Sequence, residues 1–319
     1  MLNQPISIGT LTLKNRLVMP PMHTGKSDDG HVTPELVDYY HAHAVGSEPG
    51  LIIMEHCAVA ADGRASDTQL LLSDDAVAAE HRALTDAIHA GGSLVFAQLN
   101  HAGSNGIDAP VSASAVANPR GDAARIPAAL TAEEMDRISD AYTAAAVRAM
   151  HAGYDGVELH CAHAYLFNQF YSPLTNRRTD AYGGSLENRL RFLMETYAKV
   201  RAALGADVPV AVRLGGADYL PGGSTEADAV TAAQMLEANG VDLIDLSGGM
   251  CGFVLRDRTE PGYFGTMSEK VRSAVHTPVL LTGGIQTVAD AERLLAEGKA
   301  DLIGVGRALM RDAEWRKHA

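Results

Sequence analysis

Two imidazoles and a phenol crowd one short stretch: His160, His163 and Tyr165 in the run His160-Cys161-Ala162-His163-Ala164-Tyr165. They follow Asp155-Gly156-Val157-Glu158-Leu159, so a short buried strand ends at the histidines. Two neutral imidazole N–H groups can grip one carbonyl oxygen, and a phenol two residues further on can deliver a proton nearby. That equipment suits polarising an unsaturated carbonyl compound and completing its reduction. Two blander readings compete. Histidines at short spacing bind zinc, but no third ligand stands nearby, so no metal is expected. The histidines of an ordinary loop simply pack and hydrogen-bond.

A second constellation is glycine-rich. Thr282-Gly283-Gly284 precedes a helix beginning near Thr287, and Gly306-Arg307 opens another. Glycines let backbone N–H groups approach an anion, and Arg307 adds a cation. The alternative is a pair of tight turns. Gln98 and Arg213 fall within apolar runs, where each must have a partner, because a buried unpaired polar group costs about 1–3 kcal/mol. An amide and a cation aimed into a pocket suit the pyrimidine end of an isoalloxazine. Otherwise Gln98 is a satisfied core amide, and Arg213 is a buried ion pair with Glu158 or Asp245.

The elements that must position these residues alternate along the chain. Candidate strands are Arg16–Pro20, Gly50–Glu55, Ser93–Leu99, Asp155–Leu159, Pro209–Leu214, Asp242–Ser247, Pro278–Thr282 and Asp301–Gly306. They are apolar at nearly every position, the pattern of parallel strands covered on both faces. Eight such runs, most followed by a helical pattern, predict an α/β fold of the (β/α)8 TIM-barrel type. In that fold active sites form at the C-terminal strand ends, where the residues above all fall, and phosphate sites use the loops after strands seven and eight.

Thr131 and Glu134 make a capping box, Ser185 and Thr225 look like N-caps, and Gly153 and Gly240 like helix stops. Met1–Leu13 is expected to form a hairpin lid on the barrel bottom, and the Ala/Pro/Gly/Asp-rich stretch Ser104–Pro127 a loop covering the site. His41, His43, His81 and His89 read as solvated helical residues.

The chain has 319 residues and a net charge of −13, which argues against nucleic-acid or anionic-membrane partners but not against a small anion in a local pocket. Three scattered cysteines, Cys57, Cys161 and Cys251, make no disulfide framework and cannot supply four iron–sulfur ligands. With no leader-like N-terminus and no membrane-length apolar run, a cytoplasmic protein is expected.

These motifs together resemble the Old Yellow Enzyme flavoproteins, above all the enoate reductase and 2,4-dienoyl-CoA reductase branch. Leu13–Met19 and Pro21-Met22-His23-Thr24-Gly25 look like its N-terminal signature, and Gln98-Leu99-Asn100-His101-Ala102-Gly103 its third-strand motif. The most specific stretch is His160–Phe192, with Ser172–Asp180 and Tyr182–Arg189 inside it.

The resemblance implies noncovalent FMN. Pro21, Met22 and His23 would line it, His56, Gln98 and Arg213 would contact its ring, and Gly284, Gly306 and Arg307 would hold its phosphate. It also implies that His160 and His163 bind the substrate carbonyl and that Tyr165 donates a proton. NADH or NADPH would supply electrons for reducing the activated C=C bond of an α,β-unsaturated carbonyl compound.

Larger members of the branch continue into an iron–sulfur motif and FAD- and NAD(P)H-binding domains, whereas this sequence stops at Trp315–Ala319. Residues 1–319 are therefore expected to be a single FMN-binding domain. Its protein partners would be a second copy of the chain or a separate electron-transfer subunit. Short relatives often carry an aromatic residue where this chain has Gly25, which implies a roomier substrate pocket. Rival functions are a dehydrogenase or demethylase of the same family, another flavin barrel oxidising amines or hydroxy acids, or the flavin subunit of a split reductase.

Overall fold

Runs of Leu, Ile and Val with both faces buried pair as eight parallel strands in a computed structural model that describes residues 1–318. The barrel strands are β1 (Leu17–Met19), β2 (Leu51–Ile53), β3 (Leu94–Asn100), β4 (Gly156–Cys161), β5 (Val210–Ala217), β6 (Leu243–Gly248), β7 (Val279–Thr282) and β8 (Leu302–Gly304). Each pairs with its neighbours in sequence, and β8 pairs with β1, so the sheet closes. This is the expected (β/α)8 barrel.

The strand limits differ from the sequence reading for local reasons. The fourth strand runs on through His160 and Cys161, because Arg213 and Leu214 of β5 continue to pair with them. Strand β5 extends to Ala217, with a register shift against β6 between Gly215 and Ala217. Strand β2 stops at Ile53, and Glu55 leaves the ladder to accept hydrogen bonds from the Thr24 backbone and hydroxyl at 3.0 and 2.7 Å.

Helices α1 (Pro34–Gly46), α2 (Asp75–Ala90) and α3 (Ala132–His151) follow the first three strands. After β4 come the short α4 (Leu166–Tyr171), which the apolar pattern did not separate out, and α5 (Leu186–Leu204). The outer ring continues with α6 (Glu226–Ala238), α7 (Gly265–Arg272), α8 (Val288–Ala296) and α9 (Arg307–Arg311). Thr131 and Glu134 form their capping box, and Ser185 and Thr225 cap α5 and α6. Among the described residues no helix is long and apolar enough to cross a membrane.

The N-terminal hairpin pairs Ile6–Ile8 with Leu11–Leu13. Its Ile8 and Leu13 pack on Val18, Leu51, Phe96 and Leu243 and so plug the lower end of the barrel. Chemistry is thereby confined to the opposite end.

Two histidines correct the sequence reading. His43 and His81 are buried rather than solvated. His43 spans the Tyr39 and Leu309 carbonyls at 2.7 and 2.9 Å, and His81 spans Tyr154 Oη and the Leu71 carbonyl at 2.8 and 3.0 Å. His81 can satisfy both ring nitrogens, one from a hydroxyl and one to a carbonyl, whereas the neutral ring of His43 donates to one of its two carbonyls.

Candidate active site

A cavity of about 600 Å³ opens at the C-terminal ends of the strands. Its wall contains Pro21, Met22, His23, His56, Gln98, His160, His163, Tyr165, Arg213, Gly284, Gly306 and Arg307. Of the candidate site residues only Gly25 is not on that wall. It sits at φ +70°, and an added Cβ there would meet nothing within 4 Å.

His160 projects from β4 itself. The chain then turns through two non-glycine left-handed residues, His163 (φ 58°) and Ala164 (φ 62°), before α4 begins. Such backbone is costly for residues with a Cβ. It is held by hydrogen bonds from Ala164 N–H to Asn168 Oδ1 at 2.8 Å and from His163 N–H to the Gly248 carbonyl at 3.2 Å. The turn brings the His163 and Tyr165 rings each to 5.1 Å from the His160 ring, centroid to centroid. His56 completes the cluster 5.2 Å from Tyr165.

Burial determines the protonation of this cluster. It holds the imidazoles of His160 and His163 well below their usual range, with the positive charge of Arg213 acting in the same direction. His56 is pushed down to about 3 by burial, helped by His23 and Arg213. Burial raises the Tyr165 phenol, and Arg120 opposes that rise. At neutral pH the site therefore offers neutral imidazoles and a protonated phenol. Nδ1 of His160 is buried with no partner in the protein. His163 Nε2 is engaged by Ser247 Oγ at 2.7 Å.

Beneath the cavity lies a buried polar cluster. Gln98 Nε2 donates to Glu158 Oε1 at 2.8 Å, and Arg213 Nε lies 3.0 Å from Asp245 Oδ2 without hydrogen-bond alignment. Both residues thus have the core partners of the blander reading, and both also face the cavity. Burial, reinforced by Asp245, raises the Glu158 carboxyl, and burial brings Asp245 up to about 6 against the pull of Arg213.

The glycine constellation forms the other end of the wall. Gly283 (φ +144°) and Gly284 (φ +67°) need their backbone freedom, and a Cβ on either would lie 2.8 Å from the Tyr263 ring. A Cβ at Gly306 would crowd Met22 Sδ at 3.1 Å. Thr282 Oγ1 is buried there without a partner, and the arginine ion pairs among the described residues leave Arg307 out. The glycines thus make close-packed turns, as the blander reading had it, and these turns also line the cavity. No group of three or more potential metal ligands occurs among the described residues.

Sequence reasoning missed Asn105, Arg120, Ser247, Phe253, Tyr263 and Arg311, which also line the cavity. Ser247 ends a strand and was open to the same argument as Gln98. The other five lie in loops or a short terminal helix, where no periodicity indicates direction.

The chain matches the model of the "NADH:flavin oxidoreductase / NADH oxidase family" over residues 1–319. It is 40% identical to an NADH oxidase of Thermoanaerobacter brockii, over 98% of this chain and 49% of that protein. It is 39% identical to an NADPH dehydrogenase of Halalkalibacterium halodurans, over 97% and 90%. The chain spans about half the length of the NADH oxidase and of a metal reductase it also matches. Among solved structures, a 2-naphthoyl-CoA reductase superposes with a TM-score of 0.93 at 27% identity, covering 99% of this chain and 51% of that one. The Old Yellow Enzyme homologue of Zymomonas mobilis superposes with a TM-score of 0.85 at 28% identity, covering 99% and 91%. A closed parallel barrel, a histidine–tyrosine cluster at its mouth and these similarities together place the chain in the NADH:flavin oxidoreductase family, that of the Old Yellow Enzymes.

Proposed function

We propose that residues 1–319 form one FMN-binding domain that reduces the activated C=C bond of α,β-unsaturated carbonyl compounds with electrons from NADH or NADPH. The observation that carries this reading is one cavity wall bearing His160, His163 and Tyr165 together with Gln98, Arg213, the glycine turns and Arg307.

The residues present fit FMN. Gly284 and Gly306 bring backbone without a side chain of its own to the wall, and Arg307 offers a guanidinium free of carboxylates, which suits a phosphate. The Gln98 amide, its Nε2 committed to Glu158, keeps its oxygen for a ring N–H, and Arg213 brings positive charge to the same wall. His56, Pro21, Met22 and His23 complete the lining. Bound there, FMN would supply hydride chemistry that no side chain has.

The protein's own part is to bind, polarise and protonate. His160 and His163, kept neutral, would hold the substrate carbonyl oxygen. Their hold tightens as negative charge develops on that oxygen, and this differential binding lowers a barrier. Tyr165 keeps its proton through the neutral range and would donate it to the α-carbon. Gly25, which the resemblance tied to a roomier substrate pocket, lies exposed and off this wall, so its open surroundings do not bear on the pocket.

A second reading is the flavin-bearing barrel of a reductase that works with further redox domains or subunits, since the barrel matches 49% of the NADH oxidase. A family dehydrogenase or demethylase uses the same barrel. The partner in this reading is a small unsaturated carbonyl compound, and the net charge of −13 argues against nucleic-acid and anionic-membrane partners.

The test is an anaerobic visible spectrum of the purified chain reconstituted with FMN, reduced with dithionite and mixed with 2-cyclohexenone. Bleaching followed by return of the flavin bands supports the enone reductase. Flavin that stays reduced favours the alternatives, and absence of flavin bands removes the reading altogether.

A further inference from the structure

The loop after β3 brings a cation to the cavity wall that none of the roles above uses. Arg120 lines the cavity beside Asn105, His163, Tyr165 and Phe253. An exposed arginine is ordinarily a solvated one, but this one is held in place. Asn118 is only 5% exposed, and its Oδ1 accepts the Arg120 backbone N–H at 3.0 Å. The same side chain's Nδ2 lies 3.0 Å from Asn105 Oδ1 and 3.3 Å from the Ala164 carbonyl. One buried amide thus ties the Arg120 backbone to the turn between His163 and Tyr165.

On its other side the guanidinium rests against Gly252, at φ +80°, in the space that a Cβ would occupy. The arginine ion pairs of the described residues are all formed by other arginines. Its field reaches the reacting groups, since it acts on both His163 and Tyr165.

A chain with a net charge of −13 repels anions at long range, so an anionic substrate would need a local cation. A guanidinium without a protein carboxylate presents a fork that matches a carboxylate in two parallel hydrogen bonds. We infer that Arg120 binds a carboxylate that the substrate carries apart from its activated carbonyl, so that the preferred substrates are anionic unsaturated carbonyl compounds. This rests on the function proposed above.

The experiment measures equilibrium binding by calorimetry, without reductant, to the FMN-loaded protein. The ligands are a carboxymethyl-substituted cyclohexenone and its methyl ester. The wild type should prefer the acid, and the preference should weaken as salt is raised. Arg120→Ala should lower the acid-to-ester affinity ratio about tenfold, the scale of one charged hydrogen-bonded pair at an open mouth. Arg120→Lys should retain part of it. An unchanged ratio in Arg120→Ala, whether both affinities fall together or neither moves, overturns the inference. Reduction of 2-cyclohexenone is followed separately in the wild type. Its absence overturns the reductase reading, while the affinity ratio still decides the role of Arg120.

Discussion

His163 and Ser247 lie 84 residues apart in sequence and 2.7 Å apart in the structure, Nε2 to Oγ. The contact joins the left-handed turn after β4 to the end of β6, and it fixes the ring of His163 within the cluster. Ser247→Ala should leave the fold intact and lower the affinity of phenolic ligands about three- to tenfold, the range of one neutral hydrogen bond. Titration of the FMN-loaded protein with 4-hydroxybenzaldehyde, read in the visible spectrum, checks this. His160→Ala should weaken the same ligand further.

Tyr165 is the one protonated acid of the cluster, because burial holds its phenol up. Tyr165→Phe should slow reoxidation of the reduced flavin by enones about 100-fold or more, the scale of general-acid catalysis. Reduction by NADPH should stay nearly intact. Stopped-flow measurement of the two half-reactions separates them, and equal loss in both would remove Tyr165 from the role of proton donor.

Arg213 faces Asp245 with almost no solvent, and its side chain is 4% exposed. Replacing it by Met leaves two buried carboxyl groups, Glu158 and Asp245, without their cation. Breaking a buried pair in this way costs about 3–5 kcal/mol. Urea unfolding of Arg213→Met should show a loss of that size. The double variant Arg213→Met with Asp245→Asn should recover part of it, since the uncompensated charge is then gone.

Acid should unfold the barrel through its buried histidines. Burial lowers His56 to about 3 and His81 and His101 to about 4, and holds His160 and His163 well below their usual range. Below about pH 6.5 the unfolded chain takes up protons at these rings and the folded chain does not, so stability falls as pH falls. The loss runs from about pH 6.5 down through pH 4 and reaches roughly 1.4 kcal/mol per pH unit for each such ring. The melting temperature followed from pH 7 to 4.5 checks the sign. His81→Gln should flatten the slope, and an unchanged slope would mean that this ring is charged in the folded state.

The sequence alone determined the barrel. Strands covered on both faces are apolar at nearly every position, so they stand out as runs such as Leu51–Ile53, or Val279, Leu280 and Leu281, without any knowledge of their neighbours. It also pointed to the candidate site residues, because His160, His163 and Tyr165 are local to one strand end and most of the other candidates terminate strands, and all of these but Gly25 line one cavity.

Tertiary structure decided everything that depends on partners remote in sequence. It paired Gln98 with Glu158 and Arg213 with Asp245, fixed His163 by Ser247, and buried His43 and His81 where helical spacing suggested solvent. It also placed Arg120 at the cavity wall. The reason is physical: periodicity reports which face of a regular element meets the core, whereas a loop such as 104–127 has no period. Its side chains take their directions from hydrogen bonds, like those of Asn118, that form only once the barrel has closed.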